Sequence, residues 1–375
     1  MSIPQIDGSW ESIIFLIFAG CFIVQMTYLL WVFTGLLPKP AAKIVQKYPG
    51  VSIVVCARNE EDNLYQNIPN WCEQNYPNFE VIIVNDQSLD DSKYIVKAYQ
   101  EKYANLRLVD LERTRNGRVG KKLPLTVGIK GAQHPYVLLT DADCRPASQQ
   151  WIRRIAANFS EKKKIVLGFS PYLRAKGLLN AFIRFDAVMV GLQYLNLAKR
   201  GIGYMGVGRN LSYQVELFHS VSGFKSHYHI PSGDDDLFIQ EVADNNFTID
   251  YHPESFTYTT PKSSWKSWWK QKRRHFQTAP RYKVIHKTLL GIYPTTLLLM
   301  LISFVILLFV TDWWAILSIV FALRFVVYWI IWGISFKRLG SKDLIYFIPL
   351  FELIFLFLHP IIYTTRPQTT EKKWQ

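Results

Sequence analysis

The sequence predicts an α/β domain with a mostly parallel sheet, flanked by one N-terminal and two to three C-terminal transmembrane helices. Two observations lead to this expectation. Long apolar segments lie toward both ends of the chain, and short β-branched runs alternate with helical patterns between them. Strands that alternate with helices are typical of α/β domains, whose ligand sites lie beyond the carboxyl ends of the strands.

The first apolar segment covers residues 10–37 and carries Glu11 as its one charged side chain. It is longer than the ~20 residues that a helix needs to cross the hydrocarbon layer. A cleaved signal peptide has a basic start and a shorter apolar stretch, whereas no Lys or Arg precedes this segment. We therefore expect a transmembrane helix.

Three further apolar segments cover residues 289–310, 313–335 and 344–363, and together they make up the expected C-terminal transmembrane region 289–363. The last segment is interrupted by Pro349 and Pro360 and carries Glu352, so it is expected either to cross the membrane or to be re-entrant or interfacial. Arg324 lies within the second of these segments. A charge at that depth is either a structural interior group or part of a substrate path.

Basic residues are concentrated beside the apolar segments. The chain has 43 Lys and Arg against 29 Asp and Glu, a net charge of +14. Lys39, Lys43 and Lys47 follow the first segment, and nine Lys or Arg but no acidic residue occupy residues 262–287. The positive-inside rule therefore predicts that the soluble domain, residues 48–260, is cytosolic on a multi-pass protein of the inner or plasma membrane.

The segment 261–288 combines lysines with Trp265, Trp268 and Trp269, so it is expected to be an interfacial helix. A net positive charge favours an anionic partner, but basic residues beside apolar segments are explained by lipid headgroups without a nucleic acid. The four cysteines lack the paired spacing of a zinc site and do not indicate a disulfide scaffold. A reducing compartment and no nucleic-acid partner are therefore expected.

Polar clusters follow the three expected strands, at 51–56, 81–84 and 136–140, and should meet at one sheet edge. Two aspartates spaced by one residue at a strand end, Asp141 and Asp143, can face the same cavity. Their oxygens suit Mg²⁺ or Mn²⁺, with substrate phosphates completing the coordination. The sequence therefore predicts a divalent metal cofactor held by Asp141 and Asp143.

Several short motifs follow one another along residues 51–276. They are Cys56-Ala57-Arg58-Asn59-Glu60, Asn85-Asp86-Gln87-Ser88-Leu89-Asp90, Gly120-Lys121-Lys122, Asp141-Ala142-Asp143, Gly206-Val207-Gly208-Arg209-Asn210, Gly233-Asp234-Asp235-Asp236-Leu237 and Gln271-Lys272-Arg273-Arg274-His275. In this order they resemble the family 2 glycosyltransferases of GT-A fold. The resemblance is to the membrane-integrated branch, which includes hyaluronan, cellulose and poly-N-acetylglucosamine synthases and ceramide glucosyltransferase.

The resemblance implies a donor site for a nucleotide-sugar. Asn59 and Glu60 would line the nucleotide pocket, and Asp86 would contact the base. Lys121 would meet the diphosphate, and Asp141 and Asp143 match the metal motif. Two positions depart from the family, because the usual Pro of the first motif is absent and Asn85 stands where a second carboxylate is usual.

The resemblance also implies an acceptor site. Asp235 would be the general base, with Asp234 as the alternative, since neighbouring carboxylates repel one another and raise a pKa toward the range that deprotonates a hydroxyl. Arg209 lies in the glycine-rich segment expected on the acceptor side.

Gln271 and Arg274 keep the family's Q-x-x-R pattern, in which the Arg meets the diphosphate. His275 replaces the family's Trp, which argues against processive synthesis.

These residues predict an inverting glycosyltransferase that uses Mg²⁺ or Mn²⁺. The donor is expected to be a UDP-sugar by the family resemblance. The acceptor is a membrane-associated lipid or a saccharide, with a lipid or lipid-linked acceptor favoured. The alternative is a processive polysaccharide synthase, and a more distant one is a membrane protein that binds a ligand without chemistry.

Overall fold

The computed structural model describes residues 7–40, 48–111 and 120–367. The chain divides into two compact units. The first, here called the helical unit, comprises Met1–Pro38 and Lys283–Ile361, and the second, the α/β unit, comprises Lys39–Tyr282 and Ile362–Gln375. Lys43 and Lys47, on which the expected orientation partly depends, lie outside the described residues.

Regular elements account for most of the described residues. The α-helices are α1 (Trp10–Thr27), α2 (Glu61–Cys72), α3 (Ser92–Gln100), α4 (Lys122–Lys130), α5 (Trp151–Ala156), α6 (Leu178–Lys199), α7 (Val215–Ser220), α8 (Asp236–Val242), α9 (Trp265–His275), α10 (Val284–Val310), α11 (Trp314–Arg338) and α12 (Ile348–Thr364). The strands are β1 (Val51–Ala57), β2 (Phe79–Asp86), β3 (Leu106–Leu111), β4 (Tyr136–Asp141), β5 (Cys144–Pro146), β6 (Ile165–Leu167), β7 (Leu211–Gln214), β8 (Phe247–Ile249) and β9 (Thr257–Thr259).

The α/β unit is built on a seven-stranded sheet with the order β3-β2-β1-β4-β7-β6-β8. β1 runs parallel to β2 and β4, and β2 runs parallel to β3. β7 runs antiparallel to its two neighbours, whereas β6 and β8 are parallel. The predicted mostly parallel sheet is therefore confirmed, and the three predicted strands are the neighbours β2, β1 and β4.

Burial explains why these strands read as continuous apolar runs. All seven residues of β1 are buried, as are seven of the eight residues of β2. A parallel strand that is covered on both faces has no solvent side and therefore no polar alternation. β5 and β9 form a separate two-stranded antiparallel sheet directly after the acidic turn that follows β4.

Helix α2 connects the core of the α/β unit to that turn. The fully buried Trp71 donates its indole N–H to the carbonyl of Cys144 at 3.1 Å, and Asn67 Nδ2 donates to the carbonyl of Ala142 at 2.9 Å. Because Trp71 also packs in the main apolar core, the turn at residues 141–144 is attached to a rigid element.

The helical unit contains α1, α10, α11 and most of α12. By length and composition, five helices among the described residues could cross a membrane, namely Trp10–Leu36, Leu178–Lys199, Val284–Val310, Trp314–Arg338 and Lys342–Thr364. Leu178–Lys199 is α6 of the α/β unit, and 67% of its apolar window is buried, as expected for a core helix. The predicted N-terminal and C-terminal apolar helices are confirmed as helices.

Two helix starts differ from those predicted. α10 begins at Val284 rather than near residue 289, so part of the expected interfacial segment continues into this long helix. The last apolar segment starts as a 3-10 turn over Lys342–Phe347 before α12. Pro349 lies in the first turn of α12, where the missing N–H breaks no intrahelical hydrogen bond, so it does not interrupt the helix.

Arg324 forms a buried ion pair in the helical unit. Its Nη2 lies 2.8 Å from Glu352 Oε1, and its Nη1 donates to Oε2 at 3.0 Å. Tyr293 donates its hydroxyl to Glu352 at 2.7 Å, and Gln25 Oε1 accepts from Arg324 at 3.0 Å. The four side chains come from α1, α10, α11 and α12, so the network supports a structural role for Arg324.

Candidate active site

The carboxyl ends of β1, β2 and β4 meet at one edge of the sheet. Cys56 of β1 pairs in register with Asp141 of β4, and Ala57 pairs with Asn85 of β2. The three polar clusters that follow these strands are therefore neighbours, as predicted from the sequence. This edge is the floor of the candidate site.

Hydrogen bonds fasten the loop after β1 to the loop after β2. Asn59 has a positive φ of 54°, a conformation that Asn tolerates better than most residues. Its backbone N–H donates to Ser88 Oγ at 3.0 Å, and its Oδ1 accepts from the backbone N–H of Leu89 at 2.8 Å. Glu60 is held in the same way, because its N–H donates to Ser92 Oγ at 3.0 Å.

Asp86 and Asn85 have different surroundings at the end of β2. The buried Asp86 carboxylate lies 3.9 Å from Arg58 Nη1 and accepts from Gln87 Nε2 at 3.0 Å. Asn85 Nδ2 instead donates to Asp110 Oδ1 at 2.7 Å, on the neighbouring strand β3. The Asn85 side chain therefore links β2 to β3, and Asp86 is the acidic group at the end of β2.

Asp141, Asp143 and Cys144 form a compact group, in which one ligand atom from each lies within 4.8 Å of the others. Asp141 ends β4, whereas Asp143 lies in the turn before β5, so the turn rather than strand alternation brings the two carboxylates together. Asp143 Oδ2 accepts from Thr259 Oγ1 at 3.0 Å, which orients the carboxylate. No local pattern indicates Thr259, because it lies on β9, far along the chain.

The donor atoms fit a hard divalent cation. Burial raises the pKa of the Cys144 thiol well above its usual value, so the sulfur stays protonated and packs against the turn. The carboxylate oxygens of Asp141 and Asp143 remain, and Mg²⁺ and Mn²⁺ take oxygen ligands of this kind. Burial, together with the nearby charges of Asp143 and Asp141, also raises the pKa of Glu60.

Lys121 forms an ion pair with Asp141. Burial alone would lower the pKa of Lys121, but the negative charges of Asp141 and Asp234 outweigh it and raise the pKa above its ordinary value. Burial would likewise raise the pKa of Asp141, yet the charge and hydrogen bond of Lys121 lower it. Both groups are therefore charged at neutral pH.

Arg209 and Arg274 add positive charge around the same turn, and both contribute to lowering the pKa of Asp141. The guanidinium carbon of Arg209 lies 4.6 Å from the ring centre of Tyr172, which fixes its plane. Arg274 is exposed on α9, and the half-buried Gln271 lies three residues earlier, on the same side of the helix. The resemblance places Arg209 on the acceptor side. In the structure Arg209 lies beside the acidic turn.

The acidic triplet at residues 234–236 has three distinct environments. Asp235 caps α8 and accepts from the backbone N–H groups of Gly208 at 2.9 Å and Asp236 at 2.8 Å. Burial, then the charges of Asp234 and Asp236, raise the pKa of Asp235 to about 7. Among the described residues no hydrogen bond ends on the side chain of Asp234, whose charge faces Lys121.

Asp236 is a structural member of the triplet. Its Oδ2 accepts from Thr278 Oγ1 at 2.5 Å and from the Tyr282 hydroxyl at 2.6 Å. Burial raises its pKa, although these two hydrogen bonds oppose the shift. The sequence motif could not distinguish this residue from its neighbours, because both partners follow α9 rather than the triplet.

Helix α9, which lies in the segment expected to be interfacial, has one side buried against the α/β unit. Trp268 is buried, and its ring lies 5.2 Å from that of Phe182 on α6. Lys272 is buried too, and its Nζ lies 2.7 Å from Asp186. Trp265 is 47% exposed and Trp269 is partly exposed, so two of the three rings are available to a headgroup layer.

The sheet is mostly parallel, an acidic turn lies at its carboxyl edge, and a second acidic group lies nearby. Together these features are typical of a GT-A fold. The chain belongs to glycosyl transferase family group 2, which matches residues 136–358, and residues 52–218 match glycosyl transferase family 2. The longer match includes α10 and α11, so these two helices of the helical unit are part of the family's pattern. The family predicted from the motifs is confirmed.

Two relatives share parts of the sequence. The protein named probable glycosyltransferase YdaM of Bacillus subtilis is 25% identical over 237 residues, which cover 61% of this chain and 55% of YdaM. A poly-beta-1,6-N-acetyl-D-glucosamine synthase of Staphylococcus epidermidis is 33% identical over 98 residues, which cover 26% of this chain and 23% of the synthase. The chain thus spans about half the length of YdaM, and less of the synthase.

A solved structure supports the fold over nearly the whole chain. It is the mannosyltransferase PcManGT from Pyrobaculum calidifontis in complex with GDP-Man and Mn²⁺. The TM-score is 0.58 at 18% identity, and the likeness covers 93% of this chain and 99% of that one. The predicted GT-A fold is thereby confirmed.

Proposed function

We propose that the protein transfers a sugar from a nucleotide-sugar to an acceptor at a membrane. One observation carries this proposal: Asp141 and Asp143 lie among the cations of Lys121, Arg209 and Arg274, near a separate acidic triplet. A donor needs a site for its diphosphate, and an acceptor hydroxyl needs a base. A purely ligand-binding protein has no use for the second group.

The donor side is assigned to the strand-end residues. Asn59, Glu60 and Asp86 would form the nucleotide pocket, and the buried Asp86 carboxylate can accept hydrogen bonds from a base. Asp141 and Asp143 would hold Mg²⁺ or Mn²⁺, and such an ion neutralises negative charge on the diphosphate when bound.

The cations would complete the donor site. Lys121, Arg209 and Arg274 carry fixed positive charge to the same place, and Gln271 belongs to the same helix as Arg274. Each cation can donate hydrogen bonds to phosphate oxygens as the leaving group gains charge.

The acceptor side is assigned to the triplet. Asp235, whose pKa is raised to about 7, is half ionised near neutral pH and can accept a proton from an attacking hydroxyl. Attack on the anomeric carbon from the face opposite the leaving diphosphate would invert that carbon. Asp234, the first carboxylate of the triplet, is the alternative base.

We favour a lipid or lipid-linked acceptor and a UDP-sugar. His275 occupies the position of the family's acceptor-side Trp, and His offers a smaller stacking surface for a growing polymer. Repeated addition to a polysaccharide is the alternative, which the resemblance to the poly-beta-1,6-N-acetyl-D-glucosamine synthase supports. The basic residues beside the apolar helices support a cytosolic α/β unit on a multi-pass membrane protein and need no nucleic-acid partner.

A donor screen tests the function. Purified protein in lipid nanodiscs would receive UDP-, GDP- and dTDP-sugars with Mn²⁺ or Mg²⁺ and a membrane lipid extract. Release of the nucleoside diphosphate with one sugar added to a lipid is the expected result. A ladder of polymer would establish the processive alternative, and no transfer from any donor would reject the proposed activity.

A further inference from the structure

Lys122 is buried beside the candidate site but does not share the role of Lys121. It begins α4, has 0% exposure, and donates its Nζ to the carbonyl oxygens of His227 at 2.5 Å and Ile230 at 3.1 Å. An ammonium enclosed by backbone carbonyls is not available to a diphosphate. Its effect is to fasten the start of α4 to residues 227–230.

A second contact joins the same two segments. Gly120 has a positive φ of 70°, and a Cβ built on it would lie 2.4 Å from the carbonyl oxygen of Pro231. Only glycine allows this close approach without a shift of the backbone. Residues 120–122 and 227–231 therefore lie against each other along their backbones.

The segment 227–231 is also attached on its other side. His227 Nδ1 lies 3.1 Å from Glu241 Oε1 on α8. Three residues beyond Pro231 the chain reaches Asp234, the first carboxylate of the triplet. The segment thus connects the start of α4, which Lys121 precedes, with the start of α8, which Asp235 caps.

We propose that Lys122 is a positioning residue that sets the distance between the donor-side cation Lys121 and the acceptor-side carboxylates at residues 234–236. This inference rests on the proposed function, because it assigns those two groups to the two substrates. Lys121 pairs with Asp141 of the acidic turn. The hydrogen bonds of Lys122 join the neighbouring residue to the segment 227–231, which leads to the base Asp235. Misplacement of a reacting group by about 1 Å can reduce a rate about 100-fold.

The charge of Lys122 has a separate effect on the base. The charged and titratable groups that face its ammonium are Asp234, Asp235, Asp236, Glu241 and His227. Burial lowers the pKa of Lys122 to about 8, although the negative charges of the four carboxylates oppose this shift. At pH 7 the group is mostly cationic, and because charge interactions are mutual, it favours the ionised form of Asp235.

Lys122→Met in the full-length protein tests the inference, with Tyr76→Phe as control. The control removes another buried donor to a backbone carbonyl, that of Pro49, outside the site. For Lys122→Met we expect kcat to fall about 10- to 100-fold while nucleotide binding is retained. The acid limb of the pH profile should move to higher pH, because the carboxylates lose a neighbouring cation. Lys122→Arg keeps that cation and should leave the acid limb in place.

Hydrogen exchange provides a readout that does not depend on activity. Lys122→Met should increase amide exchange in residues 226–233, and Tyr76→Phe should not. Unchanged exchange there, or a wild-type kcat and pH profile in a folded Lys122→Met protein, would overturn the inference. If Lys122→Met fails to fold, Gly120→Ala is the second variant, because its Cβ would clash with the Pro231 carbonyl while Lys122 stays intact. Gly120→Ala should lower kcat without moving the acid limb. An unchanged kcat in this variant would also overturn the inference. A wild-type protein that transfers no sugar would instead reject the proposed function.

Discussion

The backbone N–H of Gly208 donates to Asp235 Oδ2 at 2.9 Å and so joins the glycine-rich segment 206–210 to the middle carboxylate of the acidic triplet. The second carboxylate oxygen accepts from the N–H of Asp236. These two donors fix the plane of the Asp235 carboxylate and leave lone pairs on both oxygens for an acceptor hydroxyl. The two aspartates beside it differ, since Asp236 is held by Thr278 and Tyr282 while Asp234 faces Lys121.

The general base can be identified by comparing Asp235→Asn with Asp234→Asn. We expect Asp235→Asn to lower kcat about 100- to 10,000-fold, because the amide cannot take up the acceptor proton. Asp234→Asn should lower it less and should weaken donor binding by altering the surroundings of Lys121. Steady-state transfer and calorimetric nucleotide binding separate these effects. If Asp234→Asn lowered kcat more than Asp235→Asn, with both variants folded and binding nucleotide, Asp234 would be the base.

The pH dependence of kcat follows from the same residue. Burial and the flanking carboxylates raise the pKa of Asp235 to about 7, and only its ionised form acts as a base. Activity should therefore rise with pH up to about 7 and then level off, falling about tenfold for each pH unit below the pKa. Rates measured between pH 5 and 9 at saturating donor would show this limb. A flat profile in which chemistry is rate-limiting would contradict the assignment.

Removal of the metal gives a third prediction, with Thr259→Val as the informative variant. Chelation should abolish transfer, and Mn²⁺ or Mg²⁺ should restore it. Thr259→Val removes the hydroxyl that orients Asp143, so the apparent metal affinity should fall about 10-fold while saturating metal restores kcat. Ser212→Ala, which loses a buried hydroxyl bonded to the carbonyl of Val137, is the control. A loss of kcat that excess metal does not restore would mean that Thr259 acts on another step.

Features with a local pattern could be predicted from the sequence. Continuous apolar runs indicated β1, β2 and β4, and parallel pairing then required their polar ends to meet, as the register of Cys56 with Asp141 confirms. The apolar helices were recognisable because their composition alone distinguishes them. Composition did not locate their starts, since α10 begins at Val284, before His286 and Lys287, and α12 begins at Ile348, after a 3-10 turn.

Features that depend on distant contacts could not be predicted. The motif shows Asn85 only as a departure from the family's usual carboxylate, whereas its side chain donates to Asp110 on β3. Trp268 lies between Lys266 and Lys270 in a sequence that favours an interfacial helix, but packing against Phe182 of α6 buries it. Lys122 shares its motif with Lys121 yet points at backbone carbonyls. In each case the decisive partner is remote in sequence, and no local propensity encodes it.

The ion pair of Arg324 with Glu352 gives the last prediction, which concerns stability. Removal of one partner leaves a buried charge without compensation, so Arg324→Met or Glu352→Leu should destabilise the helical unit by about 3 to 5 kcal/mol. The double variant should recover much of that loss, because no charge then remains buried. Thermal unfolding in detergent measures the effect, and Lys337→Met, an exposed lysine on the same helix, is the control. Single variants that unfold normally but no longer transfer sugar would favour the alternative role of Arg324 in a substrate path.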